Sequence, residues 1–180
     1  MEDDFLKVQW EKLTDNLSVV NVNFYQKLVQ LYSQKNRHYH NLNHIQALLK
    51  LSEEYRNILN SPRTINFAIW YHDAIYNASK NNNEEKSAEL AKKHLTAMGV
   101  NQNVISDCFK LIIATKKHEV PNNLNTFDAK FLLDIDLSIL AAPQKAYLQY
   151  TKQIRKEYSI YTDLMYNKGR KKSLTVFFRY

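Results

Sequence analysis

Apolar side chains along this chain recur every three or four positions rather than every second one. The spacing runs through Phe5 to Leu17, Phe24 to Tyr32, Ile45 to Leu59 and Ile65 to Tyr76. It returns in Glu84 to Met98, Val104 to Lys116, Ala129 to Leu140, Gln144 to Tyr158 and Thr162 to Phe178. A helix of 3.6 residues per turn gathers such positions on one face, so each stretch predicts an amphipathic helix. The expected fold class is all-α, a bundle of roughly eight or nine helices.

The breaks have local causes. Ser61-Pro62 supplies an N-cap and a first-turn proline, Gly99 follows Met98 as a C-terminal stop, and Ala142-Pro143 separates two further stretches. The longest loops, Asn77 to Asn83 and His118 to Thr126, are too short for domain linkers, so residues 1–180 are read as a single domain. Two glycines and three prolines are too few for the tight turns of a sandwich or barrel.

Composition adds location and charge. The single cysteine, Cys108, lies in an apolar-patterned run and is expected in the core, which fits a reducing cytoplasm. The acidic start Met1-Glu2-Asp3-Asp4 is the opposite of a signal peptide, and no apolar run approaches the ~18 residues that span a bilayer. A soluble cytoplasmic protein with no membrane partner is expected. The net charge of +7 suits an anionic partner, or simply a solvated lysine-rich surface; Lys168, Arg170, Lys171 and Lys172 form the densest cluster.

The candidate chemistry lies in the histidines and aspartates. His38, His40 and His44 fall within seven residues, just before and inside the start of a helix, so His40 and His44 can face one cavity. His72-Asp73 interrupts an otherwise apolar helix, where a buried carboxylate needs a compensating cation. Asp134 and Asp136 do the same in Phe131 to Leu140, and one of them should face that cavity. Two imidazoles with two carboxylates suit a borderline or hard divalent ion: Mn, Fe, Co, Ni, Zn or Mg.

These pieces, taken in order, carry a resemblance. They are Arg37-His38-Tyr39-His40-Asn41-Leu42 with His44-Ile45, His72-Asp73-Ala74 with Tyr76, and Asn83-Glu84-Glu85 with Ser87-Ala88. Ala114-Thr115 with His118, Asp134 with Asp136-Leu137, Ile154-Arg155 with Glu157-Tyr158, and Gly169-Arg170 complete the set. The chain resembles the HD superfamily of metal-dependent phosphohydrolases, and within it a little-characterised group of about this length. The resemblance implies an HD-type helical domain over residues 1–180 with His44, His72, Asp73 and Asp136 as ligands of a divalent metal. It implies hydrolysis of a nucleotide or another small phosphorylated metabolite by metal-activated water. Ala141-Ala142 stands where the family pattern has glycine, a difference confined to a turn.

The resemblance also suggests roles. The Tyr-His-Asn segment is similar to one in cyclic-nucleotide phosphodiesterases that carries a proton-donating histidine, which implies that role for His40. Their Asp-Leu-Ser matches Asp136-Leu137-Ser138 and favours Asp136 over Asp134 as ligand. Glu84 is the candidate for orienting the attacking water, or else a favourable charge at a helix N-terminus. His118 is expected to contact phosphate, to complete a second metal site, or to end its helix. Arg37 and Lys117 are candidate phosphate contacts. Arg155, with Glu157, Tyr158 and Arg170, either binds substrate or forms a structural ion-pair network. His94, outside any motif, is read as surface or packing. Two other readings stay open: an HD-fold di-iron oxygenase using His118, and a non-catalytic metal-containing nucleotide- or RNA-binding module. No nucleic-acid module accompanies the charge, so a small substrate is favoured over nucleic acid.

Overall fold

The computed structural model describes residues 2–14, 19–120 and 124–177. Among them the chain forms nine α-helices and no strand. They are α1 (Glu2–Thr14), α2 (Val19–Tyr32), α3 (Leu42–Glu54), α4 (Pro62–Tyr71), α5 (Asn83–Ala97), α6 (Gln102–Thr115), α7 (Thr126–Asp136), α8 (Gln144–Glu157) and α9 (Asp163–Phe177). Short 3-10 turns, Arg56–Ile58 and Ser138–Ala141, follow α3 and α7. The all-helical expectation is met. Leu17, Phe178 and Pro121 lie outside the described residues. No helix among the described residues is long and apolar enough to cross a membrane.

The core is organised around α4. Ile65, Phe67, Ala68, Ile69, Trp70 and Tyr71 are all fully buried, so this helix is covered on every side, as its continuous apolar sequence requires. Each large side chain of this kind contributes roughly 1.5–3 kcal/mol by leaving water. Trp10 of α1 meets Trp70 edge to face with centroids 5.4 Å apart, and the Tyr32 hydroxyl of α2 donates to the Trp70 carbonyl at 3.1 Å. On another side α5 and α6 pack as a pair. Their connection uses Gly99 at φ 71°, with Gly99 N–H on Thr96 O and Val100 N–H on Leu95 O, both at 3.0 Å. That pair of hydrogen bonds closes the helix C-terminus, and the left-handed position is where glycine costs least.

His94 and Asp128 are both paired where they are buried. His94 lies flat on Phe24 at 4.0 Å and accepts a hydrogen bond from the Tyr71 hydroxyl at 3.1 Å, so it packs, one of the two roles expected for it. Burial, with Lys93 and Lys27 nearby, pushes its pKa down to about 4. Cys108 is buried in the core as expected. Asp128, near the start of α7, accepts from Asn60 N–H at 3.0 Å and Ser61 N–H at 2.7 Å, which ties that helix to the entry of α4.

Three helix ends differ from the periodicity, and each difference shapes the site. The stretch Ile65 to Tyr76 stops being helical at Tyr71. Its next carbonyls, of Asp73 and Ala74, are drawn away by the Arg37 guanidinium at 2.6 and 2.8 Å. The helix predicted to reach Leu140 ends at Asp136 and tightens into the 3-10 turn. His118 lies beyond α6 with φ 55°, although its N–H still reaches Ala114 O at 2.9 Å.

Candidate metal centre

Helix ends assemble this centre. His44 sits in the first turn of α3, behind the Asn41 cap whose side chain accepts from Asn43 N–H at 2.9 Å. His72 follows the last residue of α4 and Asp136 ends α7. His44, His72 and Asp136 each present one donor atom within 4.8 Å of one another, a group that can hold a metal ion. His44 Nε2 lies 3.3 Å from His72 Nε2 and 3.1 Å from Asp136 Oδ1; His72 Nε2 lies 3.5 Å from the same oxygen. Asp73 Oδ2 is 3.2 Å from His72 Nε2 and 4.0 Å from His44 Nε2.

The hydrogen bonding fits a cation. His72 Nδ1 donates to Ile69 O at 2.9 Å, which leaves the Nε2 lone pair directed at the cluster. Helix C-termini carry partial negative charge, and two of the three donors stand at such ends. Burial disfavours charge on His72, yet Asp73 and Asp136 outweigh it and raise its pKa well above the ordinary imidazole range. Burial likewise pushes Asp73 and Asp136 upward, and the surrounding imidazoles win, holding both carboxyls below their usual range. Two partly buried carboxylates therefore draw positive charge to this point, and a divalent ion balances both.

His40 stands beside the cluster in a rigid setting. Its Nε2 is 4.0 Å from Asp73 Oδ2, while Nδ1 meets Glu157 Oε2 at 2.6 Å. Glu157 Oε1 accepts the main-chain N–H groups of His38, Tyr39 and His40 at 2.7, 2.7 and 3.0 Å. The Tyr76 hydroxyl donates to Oε2 at 3.0 Å, and the Tyr76 ring stacks on His40 at 4.5 Å. Burial lowers the His40 pKa, but Asp73 and Glu157 reverse the shift and raise it. The carboxyl of Glu157, which burial alone would raise, is pulled down to about 2 by His40 and the amides.

The remaining candidates divide. His118 Nε2 lies 3.1 Å from Asp136 Oδ2, the oxygen other than the one facing His44. Glu84 is half-buried in the first turn of α5, where burial first and Asp73 second raise its carboxyl. Asp134 is exposed. Lys117 is exposed and lines a separate surface depression with Phe109 and Lys110. Arg155 is held by Asp163 at 2.7 Å and by the Tyr158 and Tyr161 carbonyls, closing the turn between α8 and α9. Lys168 and Lys171 are exposed, and Arg170 is half-buried.

Arg37 is buried and faces the main chain rather than a cavity. It donates to His40 O at 3.0 Å as well as to the Asp73 and Ala74 carbonyls, between the Tyr32 and Tyr76 rings. It thereby joins the His40 loop to the segment carrying Asp73. Arg37→Lys is expected to lose this fork geometry and about 2–4 kcal/mol of stability, because buried carbonyls lose donors. Thermal denaturation checks this: an unchanged midpoint refutes the joining role.

Sequence reasoning left Glu157 and Tyr158 among several alternatives and did not give a role to Tyr39, Tyr150 or Tyr166. A cavity of about 430 Å³ adjoins His40, His118 and Asp136 and is walled by Tyr39, Tyr150, Tyr158 and Tyr166. The signal was present on α8, where Tyr150, Ile154 and Glu157 at spacings of four and three form its buried face.

Comparison with known proteins gives no relative: no family model matches the chain, and neither a curated protein nor a solved structure does.

Proposed function

We propose that this protein is an HD-type, metal-dependent phosphoric ester hydrolase acting on a nucleotide or another small phosphorylated metabolite. The observation that carries the reading is the pairing of one His-His-Asp donor group, both histidines buried, with a histidine whose far nitrogen is fixed by a buried glutamate. His44, His72 and Asp136 would hold the ion, with Asp73 as fourth ligand, and the mixed nitrogen and oxygen set suits Mn, Fe, Co, Ni, Zn or Mg. A divalent ion there supplies charge to neutralise phosphoryl oxygens and lowers the pKa of bound water.

The chain's own groups do the rest. Glu157 fixes the His40 ring and favours its imidazolium, so Nε2 carries the proton that the departing oxygen needs. Glu84, with its raised carboxyl, is suited to orient water. His118 supports Asp136 through the second carboxylate oxygen. The free buried thiol of Cys108 accords with a reducing cytoplasm.

The same His118 contact favours one competing reading, since a carboxylate with imidazoles on both oxygens can bridge two ions, as a di-iron oxygenase requires. Metal analysis of the purified protein with phosphate release from a panel of phosphate esters separates them. The expected result is one divalent ion per chain and turnover abolished by chelation and restored by metal. Two irons with oxygen consumption would replace hydrolysis by oxidation, and retained metal without turnover would indicate a binding module.

A further inference from the structure

The cavity beside the cluster has a polar part, at His40, His118 and Asp136, and an aromatic part. Contacts link the two: Tyr39 lies 5.0 Å from His44, Tyr150 meets Tyr39 edge-on at 4.6 Å, and the Arg170 guanidinium sits 5.0 Å over the Tyr150 ring. Arg170 is thus separated from the metal ligands by two aromatic rings. Tyr158 and Tyr166, with centroids 6.1 Å apart, line the same space. Arg170 lines the cavity wall, its guanidinium held against the Tyr150 and Tyr147 side chains. A guanidinium at a cavity wall offers N–H donors to an acceptor on a ligand.

We propose that this cavity takes a planar aromatic group bearing a hydrogen-bond acceptor, with tyrosine rings packing on its faces and edges and the Arg170 guanidinium donating to the acceptor. The proposal rests on the hydrolase reading, in which the phosphate of the same molecule meets the His-Asp cluster. About 430 Å³ holds a ring with its connecting group. Ring-on-ring contact rewards any flat π-system, whereas a polyol would leave the phenol faces without matching polar partners. Arg170 and Tyr158 become the residues that set specificity. A nucleobase and a substituted aryl ester share this chemistry.

The test compares the metal-loaded protein on adenosine monophosphate, nitrophenyl phosphate and glycerol phosphate. Adenosine monophosphate and glycerol phosphate share an alkyl leaving group, so their difference reports the body of the substrate. Their kcat/KM ratio is expected to exceed roughly tenfold and to fall toward unity in Arg170→Ala and in Tyr158→Leu. A nucleobase site shows the larger Arg170→Ala loss on adenosine monophosphate, an aryl site on nitrophenyl phosphate. Equal kcat/KM on adenosine and glycerol phosphates, unchanged in both variants, overturns the proposal while leaving hydrolysis intact. If no ester is hydrolysed, adenosine and nitrophenol binding to the protein is followed by tyrosine fluorescence. Saturable binding weakened by Arg170→Ala upholds the aromatic site without the hydrolase reading, and no saturable binding refutes it.

Discussion

Asp136→Asn is expected to strip the protein of its divalent ion and to lower phosphate release by more than the ~10–100-fold that loss of a ligand's supporting partner costs. One carboxylate serves both sides of the centre, with Oδ1 3.1 Å from His44 Nε2 and Oδ2 3.1 Å from His118 Nε2. An amide keeps the shape but halves the acidic charge of the Asp73–Asp136 pair, and it presents an N–H to one imidazole. Asp134→Asn is the control: that side chain is exposed and its loss should move stability by no more than about 0.5 kcal/mol. Elemental analysis of both variants with turnover at saturating metal decides the matter. Metal lost from the Asp134 variant and kept in the Asp136 variant would overturn the ligand assignment.

Glu157→Ala carries the second large effect. Five hydrogen bonds end on this carboxylate, three from main-chain amides and one each from His40 and Tyr76. Removing it leaves a partly buried imidazole and three amides without their acceptor, a loss of ~3–5 kcal/mol. For a chain of this length that lowers the melting midpoint by roughly 10 °C. The pH dependence follows in sign. The carboxyl titrates at about 2 in the native protein against 4.5 ordinarily. Its stabilisation is therefore complete above pH 4.5, drains as pH falls toward 2 and is gone below that. The stability gap between wild type and variant should close over that interval in denaturant titrations. Glu157→Gln should retain more stability than Glu157→Ala yet lose kcat, because the amide keeps an oxygen for the N–H groups without favouring the His40 imidazolium. A variant with full kcat would remove His40 from the chemistry.

The helical elements were legible because burial imposes a periodicity that the apolar residues must follow. Their ends were less so. The stop after Tyr71 depends on Arg37, thirty-odd positions earlier, drawing off two carbonyls, and no local pattern encodes that. His72 and the pair Asp134 and Asp136 could be picked out because polar groups in apolar helices need a reason, His44 stood out by the histidine cluster around it, and the family resemblance alone favoured Asp136. Their support was harder to read. Glu157 reaches His40 across 117 positions, whereas Arg155, on the same turn of α8, meets its near neighbour Asp163. Tyrosines that wall a cavity have the same spacing as tyrosines that fill a core, and only the packing of α8 and α9 tells them apart.

Asp128 and Asp136 mark the two ends of one helix with opposite partners: amide donors of the Asn60–Ser61 corner at one end, imidazoles at the other. A helix of this length spans roughly 12 Å between them and bends little. The α7 helix thus behaves as a strut clamped at its outer end. The separation between the Asp136 carboxylate and His72, which follows the helix beginning at that same corner, is therefore expected to depend on contacts remote from both donor groups.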